Sequence, residues 1–371
     1  MAVLVGRSSL EQLRVLQLIS SSATSGAERH VFSLSNQLAR RSHFVQAVTP
    51  SPGWLPEILG DAGVRVHNTN MKGTGWLRTM GYLIQQVRAN RIQVVHTHLT
   101  RAAYIGHALG MVTRVPIVTS VHIANNDQIY RRLARRNNRL VAVSNYVAGM
   151  LHGNGVPDRF IDTVYNGTDF ADIKVAERGP VLDGLGIPRD RQVVGLVAKV
   201  CRDKGQLELV EAMKDVRRDH PNSHVLFVGR IEEDFKEEIE SAVSEAKLTE
   251  HTTFTGVRHD IPKLLDSMAL ATLPSVMETF GVAAIEAMAR RKAVVATRVG
   301  ALPEVIRDRQ TGILVDLRPD SIAEAVSYLL TNEREREEMG ERGRELVERK
   351  FTLDRMTDRF ESVYRRAARM A

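Results

Sequence analysis

The sequence predicts an α/β protein made of two doubly wound halves. Three observations carry this. Short apolar, β-branched runs alternate with helix-patterned stretches in two successive series. A charged stretch at 172–188, containing Gly179-Pro180 and Gly184, falls near mid-chain between them and reads as an interdomain linker. Several runs also end in polar residues, where open parallel sheets place ligands.

The first series comprises runs at 15–20, 45–49, 64–67, 94–98, 116–121, 140–144 and 161–166. After the first run, Ser25-Gly26-Ala27-Glu28-Arg29-His30 opens an amphipathic helix to about Arg41. Strand, glycine-bearing turn and helix begin a doubly wound domain, but G-x-G-x-x-G is missing, so NAD is not expected. Polar strand ends follow at His96-Thr97-His98, Ser120-Val121-His122 and Ser144-Asn145. His96 and His98 make a poor metal pair, being two apart with no further ligand nearby in sequence. By itself His122 reads as a satisfied structural histidine.

The second series comprises runs at 193–198, 224–228, 252–255, 270–273, 293–297 and 313–315. Lys199-Val200-Cys201-Arg202-Asp203-Lys204-Gly205 comes off the first of these and opens a helix. Two ammonium groups there can neutralise a diphosphate, although a solvated basic loop has the same composition. The run at 270–273 ends at Pro274-Ser275 and leads into Met277-Glu278-Thr279-Phe280-Gly281-Val282, then small apolar residues and Glu286. A helix is expected from Phe280, with Glu278 at its mouth and Glu286 two turns inside. Eight helical positions span roughly 12 Å. That exceeds the about 5–9.5 Å between a carboxylate pair acting on one bond. Backbone N–H groups between them attract anions, so the stretch can cradle an elongated sugar–diphosphate–nucleoside. A buried helix whose first-turn Glu favours the dipole remains the plain alternative. Residues 333–350 read as a charge-laced surface helix, and a final helix restarts after Phe351-Thr352-Leu353-Asp354.

Composition narrows the function classes. The 371 residues are 43% hydrophobic and 26% charged, as in soluble globular proteins. No apolar run approaches the ~18 residues that span a bilayer. Met1–Val5 is too short for a signal-peptide core, so a cytoplasmic location is expected. The single cysteine, Cys201, excludes an intramolecular disulfide framework. Net charge is +7, unevenly placed: residues 1–170 hold 18 Lys and Arg against 8 Asp and Glu, the remainder 33 against 36. With 5% aromatics and no helix-turn-helix, zinc-finger or RNP pattern, no nucleic-acid partner is expected. An anionic membrane surface or an acidic substrate fits Arg131, Arg132, Arg135, Arg136 and Arg139 better, and a merely soluble basic face is the alternative.

Glu278-x7-Glu286, written around Phe280-Gly281 and ending in Glu-Ala-Met-Ala, resembles the E-x7-E motif of the family 4 glycosyltransferases. Ser25-Gly26-Ala27-Glu28-Arg29 is similar to that family's Gly-Gly-x-Glu-Arg opening, with Ser25 for the first Gly. Lys199-x4-Lys204-Gly205 resembles its Gly-Arg-x4-Lys-Gly, with Lys199 for Arg, so a point charge replaces a bidentate fork. The stretches 94–101, 118–122, 142–145, 164–169, 254–258, 300–304 and 311–315 also resemble family segments, in the expected order. The resemblance implies the GT-B fold: two Rossmann-like domains, 1–175 and 176–353, facing a central cleft, with a helix at 354–371 crossing back to the first. It implies a retaining hexosyltransferase moving sugar from a nucleotide-diphosphate donor, UDP-sugar favoured, to an acceptor hydroxyl. A saccharide or lipid-linked acceptor of lipopolysaccharide, polysaccharide or glycolipid biosynthesis is expected, at the inner membrane face.

The resemblance places Glu278 and Thr279 at the donor sugar, Glu286 at the ribose, and Lys199 and Lys204 at the diphosphate. Phe280, Gly281 and Val282 supply backbone amides, Arg258 marks the base-binding turn, and His122 and Gly26 line the first-domain side. Catalysis is expected from Glu278, His122, Lys199 and Lys204 without a metal cofactor. There is no Asp-x-Asp, and Glu232-Glu233-Asp234 reads as a charged helix start. A nucleotide-sugar epimerase or hydrolase of the same fold is one rival. A binding protein without turnover is the other, left open by Lys199.

Overall fold

The computed structural model describes residues 12–22, 25–73, 75–122 and 127–369, so the Met1–Val5 segment lies outside it. The chain divides into two compact units, residues 1–165 with 353–371, and residues 166–352.

Unit 1 holds strands β1 (Arg14–Ile19), β2 (Phe44–Thr49), β3 (Arg65–Asn68), β4 (Val94–His98), β5 (Ile117–Val121), β6 (Arg139–Ala142) and β7 (Ile161–Thr163). Helices α1 (Gly26–Arg40), α2 (Trp54–Asp61), α3 (Gly75–Ala89), α4 (Thr100–Thr113), α5 (Gln128–Leu133) and α6 (Asn145–Gly153) connect them. The strands run parallel in the order β3-β2-β1-β4-β5-β6-β7. Both faces of such a sheet are covered, which explains why β1, β4 and β5 are buried along nearly their whole length rather than at alternate residues. The order reverses between β1 and β4, the crevice where doubly wound sheets bind ligands.

Unit 2 repeats the plan. Strands β8 (Gln192–Val197), β9 (Ser223–Val228), β10 (Thr252–Phe254), β11 (Leu270–Leu273), β12 (Val294–Thr297) and β13 (Gly312–Val315) form a parallel sheet in the order β10-β9-β8-β11-β12-β13. Its helices are α7 (Arg178–Asp183), α8 (Gln206–Asp219), α9 (Glu233–Glu245), α10 (Ile261–Ser267), α11 (Val282–Ala289), α12 (Leu302–Val305), α13 (Pro319–Thr331) and α14 (Glu333–Lys350). Leu209, Phe227, Phe235, Val295 and Leu329 centre its core. The switch point falls between β8 and β11.

Three expectations need correction. The stretch at 172–188 is not a bare linker: α7 forms within it and Leu182 and Ile187 are buried. Arg178 ties it down through the carbonyls of Ser267, Arg189 and Arg191. Helix α14 is not wholly solvated either, since Met339, Leu346 and Val347 are buried. Gly340 and Gly343 give α14 its close approach to α11: a Cβ at Gly340 would lie 2.0 Å from the Arg291 carbonyl oxygen, and one at Gly343 3.0 Å from Met288. The third correction concerns the start of α11, described below.

The last helix, α15 (Leu353–Arg369), belongs to unit 1. Its Phe360, Val363 and Tyr364 join Val31 and Leu34 in that unit's core. Arg41 clamps it through Asp354, Asp358 and Glu361 at 2.7, 2.6 and 2.9 Å. Among the described residues no helix is long and apolar enough to cross a membrane.

Candidate functional site

In unit 2 the loops leaving β8 and β11 meet beside the switch point. The β8 loop makes a 3-10 turn at Arg202–Lys204, and Gly205 then caps α8 at φ +72°. A Cβ on Gly205 would sit 1.8 Å from the Pro274 carbonyl oxygen, so only glycine lets the two loops lie this close. The Val276 N–H also donates to the Asp203 carbonyl at 3.0 Å. This contact delivers Lys204 to Glu278: Nζ donates to Oε1 at 2.5 Å. Ser275 Oγ donates to the same oxygen at 3.1 Å, and Thr297 Oγ1 holds the Ser275 carbonyl at 2.6 Å.

The main chain of Glu278 is fixed as well. Its carbonyl accepts from the Ala301 N–H at 2.9 Å, and Gly300, at φ +53°, leaves room that a Cβ would fill 2.0 Å from that oxygen. The stretch 300–304 therefore does more than start α12. Ser275, Thr297 and Gly300 are positioning residues that sequence spacing did not single out, Thr297 and Gly300 reaching this loop from β12 and the turn after it.

Helix α11 begins at Val282, not at Phe280. Gly281 takes φ +91° as its N-cap, and Phe280 turns inward edge-on to Phe351, ring centroids 5.8 Å apart. Glu278 and Thr279 thus lie on irregular chain, and Glu286 stands one turn inside the helix rather than two. A spacing counted at helical rise does not apply across 278–281. Glu286 is buried at 8% exposure. The first turn of α11 aims N–H groups that lack intrahelical partners, a seat for an anion.

Lys199 is not drawn to Glu278. Its Nζ donates to Glu232 Oε1 at 2.5 Å, which raises the ammonium's pKa and lowers the carboxyl's. Glu232, read from sequence as plain charged surface, is therefore the partner of a candidate site residue. Gln206 Nε2 supports the Lys199 carbonyl at 3.0 Å. Arg202 turns to α9, onto Glu238 at 2.5 Å and over the Phe235 ring. Arg258 forms a fork with Asp260 at 2.8 and 2.7 Å, following Gly256 at φ +67° and the exposed Val257.

In unit 1, the main chain and side chain of Ser25 both donate to Glu28 at the start of α1. A Cβ added to Gly26 would meet nothing within 4 Å, so local packing does not demand glycine there. His122, after β5, does not stand alone. Its Nε2 shares a hydrogen bond with His98 Nδ1 at 3.1 Å, and His98 Nε2 meets Gln17 Oε1 at 2.8 Å. His30 of α1 lies against both rings. His96 instead bonds Tyr364 and Ser120 at 2.7 and 2.8 Å. His98 therefore has two histidines beside it in space, brought from distant sequence by α1 and by the turn after β5. Burial holds His96, His98 and His122 well below the usual imidazole pKa, so all three are neutral at pH 7.

Two parallel doubly wound sheets are the architecture of the GT-B glycosyltransferases. Residues 24–172 match the family model described as Glycosyltransferase Family 4, and residues 182–346 the one described as Glycosyl transferases group 1. The chain belongs to glycosyltransferase family 4. It is 28% identical over 316 residues to the alpha-maltose-1-phosphate synthase of Mycolicibacterium smegmatis, covering 76% of this chain and 80% of that protein. It is 24% identical over 354 residues to the N-acetyl-alpha-D-glucosaminyl L-malate synthase of Bacillus anthracis, covering 89% and 91%. The crystal structure of Anabaena HepE in complex with UDP and glucose superposes with a TM-score of 0.86 at 19% identity, covering 95% of this chain and 99% of that one.

Proposed function

We propose that the protein is a retaining hexosyltransferase that takes its sugar from a nucleotide-diphosphate donor, UDP-sugar favoured, and passes it to an acceptor hydroxyl. One observation carries the reading: Lys204 and Glu278 form an ion pair between the loops of β8 and β11, immediately before the N-terminus of α11. An ammonium has three N–H donors, so Lys204 can keep Glu278 and still reach phosphate oxygens. The α11 N-terminus adds a second source of positive potential. The family resemblance places Glu278 and Thr279 at the sugar, Glu286 at the ribose, the Arg258 turn at the base and His122 at the sugar. Lys199 pairs with Glu232 rather than with Glu278, so Lys204 is taken as the principal cation.

In this reading catalysis is positioning plus neutralisation of the leaving diphosphate, with no divalent metal required. HepE, solved with UDP and glucose, supports the choice of nucleotide. The acceptor is a saccharide or a lipid-linked sugar of lipopolysaccharide, polysaccharide or glycolipid assembly, met at an anionic membrane surface by the basic unit 1. The test is a thermal-shift panel of UDP-, GDP- and ADP-sugars, in which a donor at 100 times its Kd stabilises by about 2.7 kcal/mol. It is followed by product analysis that reads the anomeric configuration and separates transfer from free-sugar release. Stabilisation without turnover on any acceptor would favour a binding protein, and free sugar alone a hydrolase.

A further inference from the structure

We infer that Glu232 sets how tightly unit 2 holds its nucleotide: paired with Lys199, it keeps one positive charge from acting on the diphosphate. The inference rests on the donor site proposed above and adds an affinity-determining residue to it.

The pairing is built into the main chain. Lys199 leaves β8, Glu232 follows β9, and the two loops are zipped together. The Val200 N–H donates to the Arg230 carbonyl at 2.9 Å, and the Glu232 N–H to the Val200 carbonyl at 3.0 Å. Gly229 permits the approach, since a Cβ there would lie 2.0 Å from the Ala198 carbonyl oxygen. Lys199 Nζ is thereby delivered to Glu232 Oε1 at 2.5 Å. That bond is the largest cause of the raised Lys199 pKa and of the lowered Glu232 pKa, so both groups stay charged at pH 7. Arg230 lies close enough to lower both values further.

The helix does not ask for a carboxylate here. Glu232 is the N-cap of α9, yet its side chain makes no capping hydrogen bond, and Ser, Thr, Asp or Asn would cap better. The same helix takes Arg202 through Glu238 at 2.5 Å and the Asp234 carbonyl at 3.2 Å. Of the three cations in loop 199–204, α9 and its cap thus neutralise two, and Lys204 alone turns to Glu278. The Lys199–Glu232 pair is partly exposed, at 45% and 34%, so solvent and salt screen it. One unit charge there changes anion binding by about 3–10-fold. A loosely held nucleoside diphosphate leaves readily after transfer, a step that limits many enzymes.

The experiment measures binding of UDP, GDP and ADP to the full-length protein by calorimetry at low and high salt, following the nucleotide that wild type binds best. Glu232→Gln should tighten it about 3–10-fold at low salt and less at high salt. Lys199→Met, which leaves Glu232 uncompensated, should loosen it by a similar factor. The double variant is neutral again and should return to within about twofold of wild type. Glu237→Gln removes the same charge from an exposed position on α9 and should bind as wild type. Glu232→Ser, a better cap, should tighten binding as Glu232→Gln does and serves if the latter folds poorly. Wild-type or weaker binding by both Glu232 variants overturns the inference. So does a double variant as weak as Lys199→Met, which would put Lys199 directly on the diphosphate. Binding of none of the three nucleotides by wild type would instead overturn the donor site itself, and this inference with it.

Discussion

Glu278 is fixed through its side chain by Lys204 and Ser275 and through its carbonyl by Ala301, so its loss can be read without a large rearrangement. Glu278→Gln should lower kcat more than it raises donor KM if, as proposed, its charge acts mainly as the leaving group departs. Glu286→Ala should instead raise the donor Kd roughly 10–100-fold, since hydrogen bonds to a charged group contribute about 1.5–3 kcal/mol. Steady-state kinetics beside donor titration separates the two, and wild-type turnover by Glu278→Gln would remove it from the site. A second residue bears on stability alone. Lys292 donates to the Asp266 carbonyl at 3.0 Å, and burial pushes its ammonium down to about 8. Between about pH 8 and 10.5 the unfolded chain binds a proton that the native state does not, so stability contributed here rises with pH across that window. Below it the cost of the buried charge is present in full, on the order of 3 kcal/mol. Lys292→Met should therefore stabilise at pH 7 and flatten the alkaline rise. Urea melts of both proteins at pH 7 and pH 10 check this, and parallel pH profiles would refute it.

At the scale of elements, two glycines of similar sequence appearance separate sharply. Gly205 is left-handed and packed onto Pro274, so Gly205→Ala should force the two loops apart and weaken donor binding along with stability. Gly26, the first residue of α1, has open space, and Gly26→Ala should leave stability equal or raised by about 0.5–1 kcal/mol. Melting temperatures of the two variants, measured with and without donor, decide the point. A fall in activity for Gly26→Ala without a fall in stability would mark a place where a ligand needs the room. These elements also show what the sequence could convey. Every strand run is found within three residues of its expected place, because buried parallel strands such as β1, β8, β11 and β12 are rich in apolar, β-branched residues. The start of α11 was not legible, since Phe280 and the small apolar residues that follow it look helical until Gly281 adopts φ +91°. Nor was α7, six residues around a Gly-Pro. The Lys204–Glu278 pair joins residues 74 apart, and the histidine trio spans three elements, so only the folded sheets reveal them.

For the whole molecule, charge follows the division into units more closely than the sequence halves. Unit 1 carries 23 Lys and Arg against 10 Asp and Glu, and unit 2 carries 28 against 34. Not all of the excess is available. Arg139 is spent on Asp162 at 2.6 Å and Arg41 on α15. Arg131, Arg132, Arg135 and Arg136 are exposed and make no ion pair among the described residues. Arg132 and Arg135 lie close enough to depress the pKa of His107 on α4, a shift whose larger cause is burial. The same helix exposes Met111 and Val112. Arginines beside exposed apolar side chains suit the interface of an anionic bilayer, where each basic residue contributes about 1 kcal/mol and inserted methyl groups add to it. Several together suffice for reversible docking without a spanning helix. We predict that the protein binds anionic vesicles peripherally, and that binding falls as salt shortens the Debye length from ~10 Å at 0.1 M. Co-sedimentation at low and high salt, with wild type beside a variant carrying Gln at the four arginines, tests it. The variant should lose most binding at low salt, while Met111→Ser should weaken binding without altering its salt dependence. Equal sedimentation of wild type and the four-Gln variant, or none at low salt, would reject docking and assign the basic face to a soluble anionic acceptor.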